Sequence, residues 1–208
     1  MRIVCVSDTH MLHGSVVVPD GDVLVHAGDM TRKGKVADIE AVNAWLGTLP
    51  HRHKVVIAGN HDFGFEKTPA AAWAAITHAH YLQDSAVVLD GVRFYGSPWT
   101  PRFYDWAFNA DRGDELARIW ARVPPRVDVL VTHGPPKGIL DRTFAGMSVG
   151  CEALRDALRS TLRPRLHVFG HIHESYGRVE SDGTTYVNAS TCNLLYRAVN
   201  PPVVVDLT

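Results

Sequence analysis

Residues 54–62 are Lys-Val-Val-Ile-Ala-Gly-Asn-His-Asp, an apolar run that ends in a glycine and three polar side chains. Short apolar runs rich in valine and isoleucine are typical of strands buried on both faces of a parallel sheet, so we predict a strand at Lys54–Ala58. Asn60 and His61 follow it directly. In open α/β sheets, functional sites form at the carboxyl ends of such strands. The stretch therefore predicts an α/β fold with a polar site at one sheet edge.

The same alternation continues on both sides of this stretch. Further strands are predicted at Ile3–Val6, Val23–His26, Ala86–Leu89, Val92–Tyr95, Val127–Thr132, Leu166–Phe169, Thr184–Asn188 and Val203–Leu207. Helical spacing of apolar residues predicts helices at Val36–Leu46, Ala70–Ile76, Asp114–Ala121 and Glu152–Leu158. Strands that alternate with helices favour a mixed α/β layered domain. The length of 208 residues suits one domain, which we expect to span residues 1–208.

Composition limits the classes of partner. The net charge of −1 gives no basic face for duplex nucleic acid or an anionic membrane. No segment approaches the roughly 20 apolar residues that span a bilayer. The first residues enter a strand instead of a leader peptide, and the cysteines are odd in number and widely spaced, at Cys5, Cys151 and Cys192. We therefore expect a cytoplasmic protein; the sequence does not indicate its oligomeric state.

Five polar blocks follow predicted strands. They are Asp8-Thr9-His10, Gly28-Asp29, Gly59-Asn60-His61-Asp62, His133-Gly134 and Gly170-His171-Ile172-His173. Each residue alone could cap a helix or form a turn. Together they supply carboxylate and amide oxygens and imidazole nitrogens without a thiolate, a set typical of manganese, iron, zinc, nickel or cobalt sites. The set is too large for one ion, so we predict two divalent ions, which together can bind a phosphoryl oxygen and activate water.

The order of these blocks resembles the calcineurin-like metallophosphoesterase superfamily, whose motifs are D-x-H, G-D, G-N-H-[DE], a lone H and G-H-x-H. The resemblance implies a four-layer α-β-β-α sandwich with two mixed β-sheets. It implies one metal held by Asp8, His10, Asp29 and His173, and a second held by Asp29, Asn60, His133 and His171, with Asp29 bridging. It also implies that His61 is the catalytic group beside the leaving group. Manganese is the expected ion, with the other four as alternatives.

Residues 59–63, 96–101, 132–136 and 188–193 resemble the smaller metallophosphoesterase domain-containing proteins within that superfamily. This resemblance implies a phosphodiesterase that hydrolyses small or cyclic nucleotide phosphodiesters with a metal-activated hydroxide. A phosphomonoesterase, including a protein phosphatase, is one alternative. Arg32 argues against the protein phosphatase, because it stands where those enzymes carry a second aspartate. A low-turnover nucleotide-binding regulator is the other alternative.

Substrate contacts are expected from the loops. The aromatic-rich segment Ser97–Asn109 includes Arg102, Phe103 and Trp106. These side chains would stack a base or aryl group with Arg102 near the phosphate, or the aromatics would pack on one another over the sheet edge. His13, on the first polar loop, and Asn193, after the Thr184–Asn188 strand, are further candidates, and Tyr196 is considered on weaker grounds.

Overall fold

The computed structural model describes residues 1–207, and Thr208, the last residue of the predicted domain, lies outside the described residues. In chain order the strands are β1 (Arg2–Val6), β2 (Val23–His26), β3 (His53–Val56), β4 (His80–Tyr81), β5 (Ser85–Leu89), β6 (Val92–Ser97), β7 (Thr100–Pro101), β8 (Asn109–Ala110), β9 (Val129–Thr132), β10 (Leu166–Phe169), β11 (Gly177–Ser181), β12 (Thr184–Asn188) and β13 (Val203–Asp206). The α-helices are α1 (Val36–Thr48), α2 (Gly64–Lys67), α3 (Pro69–Ala75), α4 (Asp114–Trp120) and α5 (Glu152–Ser160). Short 3-10 turns cover His13–Ser15 and His173–Ser175.

Two large mixed sheets organise the chain. The first has the strand order β13-β1-β2-β3-β4, in which β1 to β4 are parallel and β13 is antiparallel to β1. The second has the order β11-β12-β10-β9-β6-β5, with parallel pairing from β12 to β6 and antiparallel edge pairs. A parallel bridge between Ser7 and Ser190 brings the carboxyl end of β1 next to the segment after β12. The strand ends of both sheets therefore meet.

Three separate apolar clusters define the layers. The cluster between the sheets contains Ile57 from the first sheet's edge and Phe94 and Val129 from the second. A second cluster packs the helices α1, α2 and α3 on the outer face of the first sheet, and a third packs α4 and α5 on the outer face of the second. Three clusters between four layers confirm the α-β-β-α sandwich with two mixed sheets. No α-helix within residues 1–207 has both the length and the apolar character needed to cross a bilayer.

The strands that the sequence analysis did not predict lie at the edges. β11 pairs only with β12, and its residues Arg178, Val179 and Glu180 are exposed, so it lacks a buried apolar face. β4, β7 and β8 contain two residues each. The one-turn helix α2 follows the Gly59–Asp62 block directly and was not predicted. Short elements of this kind are held by tertiary contacts, which leave little periodicity in the sequence.

Candidate metal centre

The five polar blocks lie together at the edge where the two sheets meet. Asp8 and Asp29 follow β1 and β2, while His133 and His171 follow β9 and β10. The Asp8 N–H donates to Gly28 O at 2.9 Å, which joins the first two loops. The His171 N–H donates to Asp8 Oδ2 at 3.0 Å, which joins the loops of opposite sheets. The parallel strands thus bring distant parts of the chain into one cluster, as the sequence predicts.

Asp8, His10 and His173 form the first group of converging donors, with one atom from each within 4.8 Å of the others. His173 Nε2 lies 3.3 Å from Asp8 Oδ1. Neither ring nitrogen of the buried His10 has a hydrogen-bond partner within the described structure. An unpartnered buried imidazole beside a carboxylate has the lone pair that a metal ligand needs. These three residues belong to the first predicted ligand set.

Asp29 lies between this group and the second predicted set. Its Oδ2 atom is 3.7 Å from His10 Nε2 and 3.5 Å from His133 Nε2. His133 Nε2 is also 2.8 Å from Asn60 Oδ1. A second converging group contains Asp8, Asp29 and His133. The position of Asp29 beside a member of each set fits a bridging role. The His171 ring lies 5.0 Å from the His133 ring, at the side of this group.

The buried charges at this site are unusual. Burial alone raises the pKa of Asp8 and Asp29, but the hydrogen-bonded and charged histidines around them lower both pKa values below the ordinary range. Burial lowers the pKa of His10 to about 4, so its ring is neutral at pH 7. Burial also opposes protonation of His133, yet the Asp29 charge raises its pKa to about 9. Two ionised carboxylates with imidazole nitrogens beside them fit divalent cations, which displace protons from such rings when they bind.

Further hydrogen bonds orient the side chains of the candidate ligands. His133 Nδ1 is 2.9 Å from Ala27 O, and His173 Nδ1 is 3.1 Å from Asn193 O. A carbonyl oxygen only accepts hydrogen bonds, so both rings carry hydrogen on Nδ1 and direct Nε2 towards the carboxylates. Ser190 Oγ donates to Asp8 Oδ2 at 2.9 Å and holds that carboxylate from the opposite side.

The loop backbone is strained where it carries these side chains. Asp8, His10, Asp29 and His171 have φ angles of 52°, 42°, 53° and 68°, in the left-handed region. Such conformations cost about 1–3 kcal/mol each when the residue is not glycine, and they cluster at functional sites. Two glycines also permit close approach, because a Cβ on Gly59 would lie 2.3 Å from Asp29 Oδ1 and one on Gly170 would lie 2.0 Å from Asp8 Oδ2.

Asp62 has a role that the sequence analysis did not assign. Its fully buried carboxylate accepts hydrogen bonds from the N–H groups of Gly59, Met30 and Thr31 at 2.9, 3.2 and 2.8 Å, and from the Thr31 hydroxyl at 2.7 Å. It therefore joins the loop after β2 to the loop after β3. The Gly-Asn-His-Asp block contains this residue, but only its partners in a distant loop reveal the function.

A cavity of about 340 Å³ opens beside the cluster. Asp29, Asn60 and His61 lie at its base. The His61 N–H donates to Asp29 Oδ1 at 2.8 Å, which places the His61 side chain next to the candidate ligands. The His61 ring lies 4.7 Å from Trp106 and 6.3 Å from Tyr196. His61 therefore stands between the candidate metal ligands and two aromatic side chains.

The candidate substrate contacts have different positions. Arg102, Phe103 and Trp106 line the cavity, but the Arg102 guanidinium pairs with Asp111 at 2.5 Å. Asn193 acts through its backbone carbonyl on His173, while its side chain accepts hydrogen bonds within its own loop.

His13 lies away from the cavity lining and packs on Trp45, with ring centroids 5.2 Å apart. The backbone after His10 turns into a 3-10 turn, which carries His13 towards α1. Tyr196, in contrast, lines the cavity and lies 4.7 Å from the His10 ring. The sequence indicates Tyr196 only through its position in the loop after the Thr184–Asn188 strand.

Comparison with known proteins identifies the family. A family model described as calcineurin-like phosphoesterase matches residues 1–175. The chain belongs to the calcineurin-like phosphoesterase family. Membership implies a phosphoric ester hydrolase that uses divalent metal ions, and the buried carboxylates and imidazoles provide candidate ligands for them.

One known protein is similar to this chain in sequence, and two solved structures are similar to it in fold. Metallophosphoesterase domain-containing protein 1 of Homo sapiens is 45% identical over 230 residues, which cover 99% of this chain and 71% of that protein. The fold is similar to that of the protein TT1561 of Thermus thermophilus, with a TM-score of 0.56, 13% identity, and coverage of 90% of this chain and 88% of the other. It is also similar to an archaeal phosphodiesterase, with a TM-score of 0.53, 16% identity, and coverage of 99% and 93%. At these identities, the two structural likenesses support the fold alone.

Proposed function

We propose that this calcineurin-like phosphoesterase is a dinuclear-metal phosphodiesterase that hydrolyses small or cyclic nucleotide phosphodiesters. One observation carries the proposal: Asp29 lies 3.7 Å from His10 Nε2 and 3.5 Å from His133 Nε2, between two groups of buried donor side chains. One carboxylate between two donor groups is the arrangement that a pair of bridged cations requires. The cytoplasmic location remains a prediction from the sequence.

Each ion has four ligands in this proposal, and the two ions share Asp29. Asp8, His10, Asp29 and His173 would hold one cation, and Asp29, Asn60, His133 and His171 the other. Manganese is the first expectation, and iron, zinc, nickel or cobalt would suit the same oxygen and nitrogen donors. Bound cations of this kind polarise a phosphoryl oxygen and lower the pKa of a water molecule.

His61 is the proposed catalytic side chain. In the hydrolysis, a water oxygen forms a bond to phosphorus, the bond from phosphorus to the leaving oxygen breaks, and the leaving alcohol gains a proton. The position of the His61 ring at the base of the cavity, between the ligands and Trp106, supports contact with the leaving oxygen. The hydrogen bond from the His61 N–H to Asp29 Oδ1 fixes the position of His61 relative to the candidate ligands.

The charge around the cavity favours a diester over a monoester. A phosphomonoester carries up to two negative charges, and the enzymes that prefer it benefit from additional cations near the phosphate. Arg102 is paired with Asp111, and Arg112 donates to Glu152 and to the Gly150 carbonyl. An additional phosphate charge would therefore have to compete with Asp111 and Glu152 for these two guanidinium groups.

The test compares a diester and a monoester that release the same leaving group. The protein is stripped of metal with a chelator, and hydrolysis of bis(p-nitrophenyl) phosphate and p-nitrophenyl phosphate is followed before and after Mn²⁺ is restored. We expect no turnover without metal, and a higher kcat/KM for the diester when Mn²⁺ is present. A preference for the monoester would identify a phosphomonoesterase instead.

A different result is expected if the protein is a low-turnover nucleotide-binding regulator. It would bind two equivalents of Mn²⁺ in equilibrium dialysis and retain a cyclic nucleotide, but hydrolyse neither aryl substrate. Measurement of metal stoichiometry in the same samples separates this outcome from a protein that has simply failed to bind metal. A stoichiometry of one ion per chain would contradict the dinuclear proposal.

A further inference from the structure

One side of the cavity is apolar and exposed. We call it the apolar wall and define it by the side chains of Phe103, Trp106, Met147, Leu194 and Tyr196. Four of these have exposed fractions between 42% and 60%. Large apolar side chains that stay exposed around a concave site indicate contact with a ligand, since exposure to water alone is unfavourable.

The wall begins at the proposed catalytic side chain. The Trp106 and Tyr196 rings lie 4.7 Å and 6.3 Å from the His61 ring. Phe103 extends the surface outwards, with its ring 5.3 Å from Trp106. A planar group attached to a phosphate at the metal centre would meet these aromatic faces. Aromatic faces bind planar rings by stacking without requiring a particular hydrogen-bond pattern.

The two arginines around the wall are already paired with carboxylates. Arg102 Nε lies 2.5 Å from Asp111 Oδ1. Arg112 donates to the carbonyls of Val149 and Gly150 at 2.7 and 2.9 Å and pairs with Glu152. These are the guanidinium groups that line the cavity among the described residues, and no lysine lines it there.

A carboxylate also faces this space. Glu174 lines the cavity and accepts a hydrogen bond from the Phe144 N–H at 2.8 Å. A second phosphate on the substrate, away from the metal centre, would therefore lose water without gaining a free cation and would approach a negative charge. Such an arrangement rejects an additional anion.

Resting on the proposed phosphodiesterase activity, we propose that the apolar wall is a subsite for one uncharged planar ring of the substrate. The enzyme then selects phosphodiesters that carry a single negative charge and discriminates against those with a second phosphate. Aryl diesters and cyclic nucleotides both satisfy this requirement.

The ring is tested with bis(p-nitrophenyl) phosphate as substrate and dimethyl phosphate as competitive inhibitor, because the two diesters carry the same charge and only the first carries planar rings. Trp106→Ala should raise KM for the bis-aryl ester about tenfold and leave the Ki of dimethyl phosphate nearly unchanged. Trp106→Phe keeps a ring and should retain most of the preference. Trp73→Ala, which removes a half-exposed indole on α3, is the matched control.

Discrimination against a second phosphate is tested by comparing thymidine 5′-(p-nitrophenyl phosphate) with the same compound carrying a 3′-phosphate. The added phosphate should lower kcat/KM about tenfold in the unaltered protein. Asp111→Asn removes the carboxylate that pairs with Arg102, so the tenfold ratio of the two kcat/KM values should fall by about threefold. The expected change is modest because an exposed ion pair contributes little free energy. An unchanged difference in Asp111→Asn, or equal rates for both compounds, would contradict the charge selection.

The failures of the two proposals are distinct. If the metal-loaded protein hydrolyses none of these esters, the phosphodiesterase proposal is wrong. If it hydrolyses the aryl diester but Trp106→Ala raises the KM of bis(p-nitrophenyl) phosphate and the Ki of dimethyl phosphate by the same factor, Trp106 does not bind the ring and the subsite proposal is wrong. Metal content and melting temperature of each variant exclude misfolding as the cause.

Discussion

The two sides of the cavity are built on different principles. The metal end, defined by Asp8, His10, Asp29, Asn60, His133, His171 and His173, is largely buried, its loops hydrogen bond across both sheets, and several of its residues have left-handed backbone. The apolar wall is exposed and comes from loops that make their hydrogen bonds mainly within themselves, as Asn109 does with Phe103 and Tyr104.

This difference suggests that the metal end carries out the reaction and that the apolar wall selects the substrate. At the metal end, one side chain is held by several others, so a substitution there affects stability and catalysis together. At the wall, a side chain can change without disturbing the sheets, because loops on a rigid scaffold tolerate variation. Substitutions at the two sides should therefore differ in the size of their effects and in which property they change.

The largest effect is expected for His133→Ala. This change removes a donor that lies 3.5 Å from Asp29 and 2.8 Å from Asn60. We expect kcat/KM for bis(p-nitrophenyl) phosphate to fall at least about 1,000-fold at saturating Mn²⁺, with loss of one metal equivalent and an unchanged circular dichroism spectrum. His80→Ala, at an exposed position of β4, serves as control. Full activity of His133→Ala would remove the second metal site from the proposal, and Asn60→Ala provides an independent repeat.

Asp62→Asn should chiefly reduce stability. An amide nitrogen in place of Oδ2 would face the N–H groups of Gly59 and Met30, and in place of Oδ1 it would face the N–H and hydroxyl of Thr31. We expect the free energy of unfolding of the metal-free protein to fall by about 3 kcal/mol, because a buried charge-assisted network is broken. Urea denaturation of Asp62→Asn beside Asp105→Asn, an exposed position in the wall loop, measures this difference. Equal midpoints would mean that Asp62 does not hold the metal end together.

The same contrast explains what the sequence could predict. Strands such as Val23–His26 and Leu166–Phe169 are buried on both faces, so their continuous apolar runs located them to the residue. The candidate ligands follow directly from these strands, since parallel strands end at a common edge. The four-layer arrangement came from the family resemblance, and the three apolar clusters confirm it.

The wall could not be predicted in this way. Composition marked the segment Ser97–Asn109 as aromatic, but only the coordinates pair Arg102 with Asp111. His13 was considered for its position in the first loop, yet it packs on Trp45. Contacts between loop side chains follow no regular spacing, so they leave no periodic pattern in one sequence.

Acid should weaken the metal end through His167. This fully buried ring on β10 bonds Thr132, the residue before His133, at 2.8 Å, and burial lowers its pKa to about 3. The unfolded chain takes up a proton below about pH 6.5 while the folded chain does not, so stability falls as pH falls through that value, by about 1.4 kcal/mol per pH unit for this residue.

His167→Gln keeps a donor towards Thr132 and removes the titration. We expect a smaller loss of unfolding free energy between about pH 6.5 and pH 4.5 than in the unaltered protein, whatever its stability at pH 7. Urea denaturation of metal-free protein at a series of pH values measures this slope. His78→Gln, at an exposed position, should leave the slope unchanged. A slope that is the same in all three proteins would contradict the role of His167.

The smallest effect is expected at the wall itself, with Phe103→Ser. Phe103 has an exposed fraction of 52%, and its ring lies 4.3 Å from the Tyr104 ring and 5.3 Å from the Trp106 ring in the same loop. If the wall exists for a ligand, the free energy of unfolding should change by less than about 0.5 kcal/mol, as for ordinary surface substitutions, while KM for the aryl diester rises. If these aromatics instead pack over the sheet edge to stabilise the fold, Phe103→Ser should lower the unfolding free energy and leave unchanged the ratio of the KM of the aryl diester to the Ki of dimethyl phosphate. Urea denaturation and steady-state kinetics on one preparation therefore decide whether the wall belongs to the fold or to the substrate.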